Sequence, residues 1–176
     1  MKHESQDGSG ERDAGPRGDP LALWDLEGVG SVRVNRILVP LDPTERAAAV
    51  LGPVGNLARL LGADLVLFRA VWVDPSDNQI AYTRETESTR RTAERALEDE
   101  VRALRSRGVR ATRRVVLDDD PAEAILRAVD ETDADLVVLT TPGRTGIRRW
   151  LFSSVAERVA RKSARPVLVV PTQKRK

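Results

Sequence analysis

The chain contains no cysteine, and its only histidine, His3, stands well before any segment with the pattern of a folded element. Disulfides, thiol chemistry, Cys/His zinc sites and triads with an imidazole base are thereby excluded. Aromatic residues are scarce, with three Trp, two Phe and one Tyr in 176 residues, so a core must be built from Val, Leu, Ile and Ala. No apolar run approaches the ~20 residues a bilayer span needs, and the opening MKHESQDGSG has none of the apolar stretch of a targeting signal. These absences predict a cytoplasmic protein with no membrane contact, whose chemistry rests on carboxylates, hydroxyls, Lys, Arg and backbone amides.

What is present fits a globular chain: 40% apolar and 32% charged residues, at a length that buries roughly 70% of the unfolded surface. The net charge of +2 hides a gradient, because residues 1–30 carry 3 basic and 7 acidic side chains, residues 31–142 carry 16 and 19, and residues 143–176 carry 10 and 1. A basic end of this kind is either a solvated Arg-rich helix face or a phosphate-binding region. Residues 1–30, rich in Gly, Ser, Asp and Glu, cannot repay the entropy of ordering and are expected to form a disordered acidic tail. Within it Leu21, Leu23, Trp24 and Leu26 make a short apolar patch suited to docking on the domain or to binding a partner. The folded domain is expected over 31–173, followed by the basic end Lys174, Arg175 and Lys176.

From Val34 onward apolar runs alternate with helical periods. Strands are predicted at 34–40 (VNRILVP), 65–73 (LVLFRAVWV), 109–117, 136–139 and 167–170 (VLVV), several of them continuously apolar, as strands buried on both faces are. A first helical segment is expected from Ala47 to Leu61, with a capping-box spacing at Asp42 and Glu45, a kink or a division into two short helices around Gly52 because of Pro53, and a left-handed cap at Gly62. A long amphipathic helix follows from about Thr83 to Arg107. Asp120, Pro121 and Glu123 supply an N-cap, a first-turn proline and a capping-box glutamate for a third helix, and Ser154 and Glu157 repeat the device for a fourth. Five strands alternating with four helices imply an α/β fold with a parallel sheet, right-handed crossovers and helices on both faces. Ligands then belong at the carboxyl ends of the strands, where the strand order reverses.

The loops at those ends carry the candidate chemistry. Asp42, past strand one with Pro40 and Leu41, fits both a ribose-hydroxyl acceptor and a helix cap. The segment Thr140 to Arg149 is rich in Gly and hydroxyls, holds three arginines and leads to a capped helix. Those are the parts of a phosphate cradle, and equally of a turn with a helix cap. Asp118, Asp119 and Asp120 fit either a Mg²⁺ site or a solvated acidic turn. The phosphate-loop, dinucleotide and nucleophile-elbow fingerprints are all missing.

The segments VNRILVPLDPTERA, DDDPAEAILRAVDETDADLVVLT and TTPGRTGIRRWLFSSVAERVARKSARPVLVVP together resemble the universal stress protein family. The resemblance implies a Rossmann-like open sheet of five parallel strands in the order 3-2-1-4-5, dimeric through its last strand, Val167–Val170. Many members of that family bind ATP through G-x-x-G, nine residues, then G-[ST]. Here the pattern falls on Thr140, Gly143, Ser153 and Ser154, with the gap from Arg144 to Phe152 intact. Gly143 and Ser154 match. Thr140 and Ser153 replace glycines, and Pro142 stands where a histidine is common. By this resemblance the candidate nucleotide contacts are Pro40, Asp42, Ala70, Thr140, Gly143, Arg144, Ser153, Ser154 and Val155. If position 153 requires a positive φ, serine there costs roughly 1–2 kcal/mol and weakens binding about ten- to thirtyfold. Arg144, Arg148 and Arg149 offer compensating charge to phosphate.

The implied function is a cytoplasmic stress-response module that holds ATP, with Mg²⁺, weakly and acts through protein partners. The runner-up is a slow Mg²⁺-dependent ATPase at the same site, with catalysis resting on positioning alone. Nucleic-acid binding through the basic C-terminal region ranks last, for want of aromatic stacking residues and of any recognised motif.

Overall fold

Strands covered on both faces need apolar side chains at nearly every position, and the runs ILV, LVLF and LVVL fall in the inner strands of one sheet. In the computed structural model, which describes residues 33–43, 49–73, 79–142 and 154–172, five strands and four helices alternate. They are β1 (Arg36–Pro40), α1 (Leu51–Leu61), β2 (Asp64–Trp72), α2 (Gln79–Arg105), β3 (Ala111–Asp118), α3 (Pro121–Glu131), β4 (Leu136–Pro142), α4 (Ser154–Lys162) and β5 (Val167–Thr172). Every strand pair is parallel, and the order across the sheet is β3-β2-β1-β4-β5, as expected from the sequence. The acidic segment 1–30 with its apolar patch, and the basic end 174–176, lie outside the described residues.

The period of two along each strand divides the core into two layers. Ile37, Val39, Leu65 and Leu67 pack with Val54 and Ala58 of α1 and Leu97, Val101 and Leu104 of α2. Leu38, Val66 and Phe68 pack with Ile125 and Val129 of α3 and Ala156 and Val159 of α4. Two helices on each face thus bury both sides of β1 and β2, which explains why those strands tolerate almost no polar residue.

Several boundaries differ from the sequence reading. Ala49 and Val50 form a turn and α1 starts at Leu51, not Ala47. Pro53 therefore falls in the first turn, where no intrahelical N–H is required, and the helix runs without the expected break to Gly62, whose φ is 67°. The cap position of α1 is Val50, without a side-chain bond, so Asp42 does not cap this helix; Glu45 lies outside the described residues. β4 continues through Thr140, Thr141 and Pro142, which pair with Val170, Pro171 and Thr172 of β5. Thr140 is therefore a strand residue and not part of the following loop; β-branched threonine suits the extended backbone that pairing with β5 prolongs. α3 starts as expected, with Asp120 Oδ1 accepting from the Ala122 and Glu123 amides at 3.1 and 3.2 Å. α4 takes in Ser154 as its first residue. No helix among the described residues is long and apolar enough to cross a membrane.

Candidate functional site

The chain runs from β1 outward to β2 and β3, then returns to add β4 and β5 on the other side. Connections leaving β1 and β4 therefore part in opposite directions, and a crevice opens at their carboxyl ends. The structure has a cleft of about 340 Å³ at this point, within the size range of small-molecule sites. Five of the nine residues singled out from the sequence line it: Pro40, Asp42, Ala70, Thr140 and Val155. Gly143, Arg144 and Ser153 lie outside the described residues, as does the side chain of Ser154.

The walls come from residues that sequence reasoning did not select: Leu41, Phe68, Pro121, Ile125, Leu139 and Ala156. Period-two alternation offered a signal for Phe68, since it shares a face with Ala70 two residues on. Pro121 and Ile125 enter because α3 packs beside α4, which no local pattern announces. The cleft is thus apolar in its body, with Asp42 and Thr140 as the polar residues of its lining. Such a composition accepts a flat heteroaromatic ring and offers hydrogen bonds to a polar substituent.

Thr140 occupies the place of the first glycine of the family pattern without backbone strain. Among the described residues Asp133 is the only non-glycine with a positive φ, and Thr140 pairs with Val170 in the ladder. The substitution consequently leaves the backbone path ordinary.

Charged groups hold the surrounding loops. Leu41 N–H donates to Phe68 O at 2.9 Å, and Arg69 donates from Nε to Leu41 O at 3.3 Å and from Nη2 to Asp42 O at 3.1 Å. Burial lowers the pKa of the Arg69 guanidinium, while the charges of Asp42 and Glu100 act in the opposite direction. Arg158 of α4 grips the α3 cap, donating to Asp120 Oδ1 at 3.0 Å and Oδ2 at 2.8 Å, and to Glu123 Oε1 at 3.0 Å. Lys162 adds a bond to Glu123 at 2.8 Å. The Arg158 hydrogen bond holds Asp120 below the usual carboxylate range, and Lys162, then Arg158, do the same for Glu123. Asp118 accepts from the Asp120 amide at 2.9 Å and pairs with Arg127. Asp118 and Asp120 thus contribute a cap and ion pairs, and no cluster of three or more His, Cys, Asp or Glu suited to a metal ion occurs among the described residues.

A larger groove of about 840 Å³, lined by Arg36, Arg105, Arg110 and Arg114 among others, lies at the amino ends of the strands. It contains none of the residues picked out by sequence, and its arginines bond to carbonyls and carboxylates of the fold, such as Arg105 to Ala111 O at 2.9 Å. Size therefore does not decide the matter, and position at the switch point favours the smaller cleft.

Comparison with known proteins agrees with the fold. The model of the universal stress protein family matches residues 33–171. A universal stress protein of Methanocaldococcus jannaschii is 28% identical over 144 residues, covering 80% of this chain and 84% of the relative. The crystal structure of a universal stress protein family member from Burkholderia pseudomallei is 31% identical, with a TM-score of 0.64 over 81% of this chain and 99% of that one. A universal stress protein solved in complex with cAMP is 26% identical, with a TM-score of 0.55 over 80% and 99% of the two chains. A sheet ordered 3-2-1-4-5, a cleft at its switch point and a family match spanning nearly all of the described residues lead to one assignment: this chain belongs to the universal stress protein family.

Proposed function

We propose that the protein is a regulatory module of the stress-response type that binds an adenine nucleotide, ATP with Mg²⁺ in the first instance, in the cleft between β1 and β4. The observation that carries this reading is the convergence of Pro40, Asp42, Ala70, Thr140 and Val155 on one apolar cleft at the switch point. Phe68, Ala70 and Ile125 would sandwich the base, and Asp42 would accept from a ribose hydroxyl. Gly143, Arg144, Ser153 and Ser154 are assigned to the phosphates on their match to the family pattern, with the two glycine replacements weakening the hold. The relative in complex with cAMP supports the adenine nucleotide class. As part of the same proposal the protein acts in the cytoplasm, as a homodimer joined along β5.

Calorimetric titration with Mg-ATP and with cAMP tests the reading. The native protein is expected to bind, and Ala70→Trp, which fills the cleft, to lose at least about tenfold in affinity, the equivalent of about 1.4 kcal/mol. No binding of either nucleotide, or unchanged binding by Ala70→Trp, would remove the assignment. Phosphate release measured alongside decides between holding and hydrolysing ATP: turnover that disappears with Gly143→Val would make the protein a slow ATPase instead.

A further inference from the structure

We propose that Arg69 is a positioning residue: from the far side of the sheet it fixes the loop after β1, and so governs how a ribose hydroxyl is received at Asp42. This deepens the nucleotide reading of the cleft and rests on it.

The sequence already sets Arg69 apart, since past Asp64 it is the only charged residue of the strand DLVLFRAVW. Its neighbours Phe68 and Ala70 line the cleft, whereas Arg69 does not. The alternation of the strand sends it to the α2 side, where Glu100 is close enough to favour its charged form. From there the guanidinium reaches over the end of β1 and donates to two consecutive carbonyls, Leu41 O and Asp42 O, at 3.3 and 3.1 Å. A planar fork with several N–H groups suits this two-point grip, and a lysine ammonium does not reproduce it.

The backbone of this loop brings few amide donors of its own. Pro40 and Pro43 have no N–H, so between them only Leu41 and Asp42 carry amide donors. The Leu41 amide is engaged with Phe68 O at 2.9 Å, which ties the loop to β2 at one point. Arg69 ties it at two more through the carbonyls. An apolar side chain would fill a half-buried strand position with less desolvation penalty, so packing alone does not account for an arginine here. What the arginine adds is a fixed path for the backbone that carries the Asp42 carboxylate.

The test has two arms, each run on the native protein, Arg69→Met and Arg69→Lys. In the first, amide hydrogen exchange is followed without ligand at Leu41 and at Leu65, whose N–H donates to Arg110 O at 2.9 Å and reports on the sheet as a whole. Arg69→Met is expected to speed exchange at Leu41 by about tenfold with Leu65 little changed, and Arg69→Lys to fall between. In the second, ATP and 2′,3′-dideoxy-ATP are titrated in parallel. The native protein is expected to prefer the ribonucleotide, and Arg69→Met to lose that preference by about tenfold, the scale of one hydrogen bond to a charged group, while its hold on the dideoxy analogue stays similar. Unchanged exchange at Leu41, equal acceleration at Leu65, or a preserved preference for the ribonucleotide each overturn the proposal. If the native protein binds neither nucleotide, it is the nucleotide reading that fails, and the exchange arm still decides whether Arg69 holds the loop.

Discussion

Phe68 serves the core and the cleft together, being fully buried while its ring forms part of the cleft wall. Phe68→Ala removes the largest fully buried side chain among the described residues and is expected to destabilise the fold by about 3–5 kcal/mol, measured as a fall in the urea midpoint. A shift within about 0.5 kcal/mol would show that α3 and α4 collapse into the vacated space, a far better relaxation than such cores ordinarily achieve. Gly62 is the contrasting case. A Cβ added there meets nothing within 4 Å, yet φ is +67°, so Gly62→Ala carries a conformational penalty alone. The expected loss is about 1–2 kcal/mol, with the α1 end otherwise intact. Thr140 needs no such allowance, because its backbone stays in the β4 ladder. The replacement of glycine by threonine therefore carries no backbone cost.

At the scale of elements, α3 and α4 are joined by Arg158, Asp120, Glu123 and Lys162, and their first turns form part of the cleft through Pro121, Val155 and Ala156. Asp120 and Glu123 both titrate below their ordinary values, 3.8 and 4.5, so the folded state binds fewer protons than the unfolded chain as these groups titrate. Their contribution is fully present above the unfolded values and is lost as pH falls through the lowered ones. Glu87 of α2, held at about 2 by Arg90 and Arg91, acts in the same window. The melting temperature is expected to fall as pH drops from about 5 toward 2, and Arg158→Met to flatten that limb. An acid limb of the same steepness in Arg158→Met would place its origin elsewhere. This network was illegible in the sequence, since its partners are 35 to 39 residues apart and meet only once the helices pack. The Asp120 cap was legible because it is local, and the β-α alternation because β1 and β2 are buried on both faces. The end of β4 was misread: Thr140, Thr141 and Pro142 have the composition of a loop, and only pairing with β5 keeps them extended. Asp42 and Ala70 were legible as residues at strand ends, whereas Phe68 and Ile125 required the packing of strands against α3. Arg69 was visible as a charge in an apolar run, but its partners depend on the loop beside it.

At the scale of the whole molecule, the two edges of the sheet are built differently. On β3 the side chains include Thr112, Arg113 and Arg114, with the arginines paired to Glu98 and Glu131, and charge of this kind discourages strand-to-strand association. On β5, Val167, Leu168, Val169 and Val170 follow one another without a charge, and Leu168 is 40% exposed. An apolar edge strand left open is an aggregation hazard, and closure by a two-fold axis removes it while placing the same strand of two copies side by side. Leu168 pairs in register with Val138, whose side chain packs in the layer under α1 and α2, so a charge at 168 disturbs association far more than the ladder itself. Light scattering on the native protein is expected to give twice the chain mass, and Leu168→Lys to give the monomer with its circular dichroism unchanged. If the native protein is a monomer at high concentration, or if Leu168→Lys remains a dimer, the contact does not run along β5. The same pair of samples also tests whether dimerisation supports the nucleotide site, because Thr140 lies in β4 directly beside Val170. A monomeric variant with native ATP affinity would show that each cleft is complete within its own chain, and a weakened one that the β4–β5 ladder needs its partner to hold Thr140 in place.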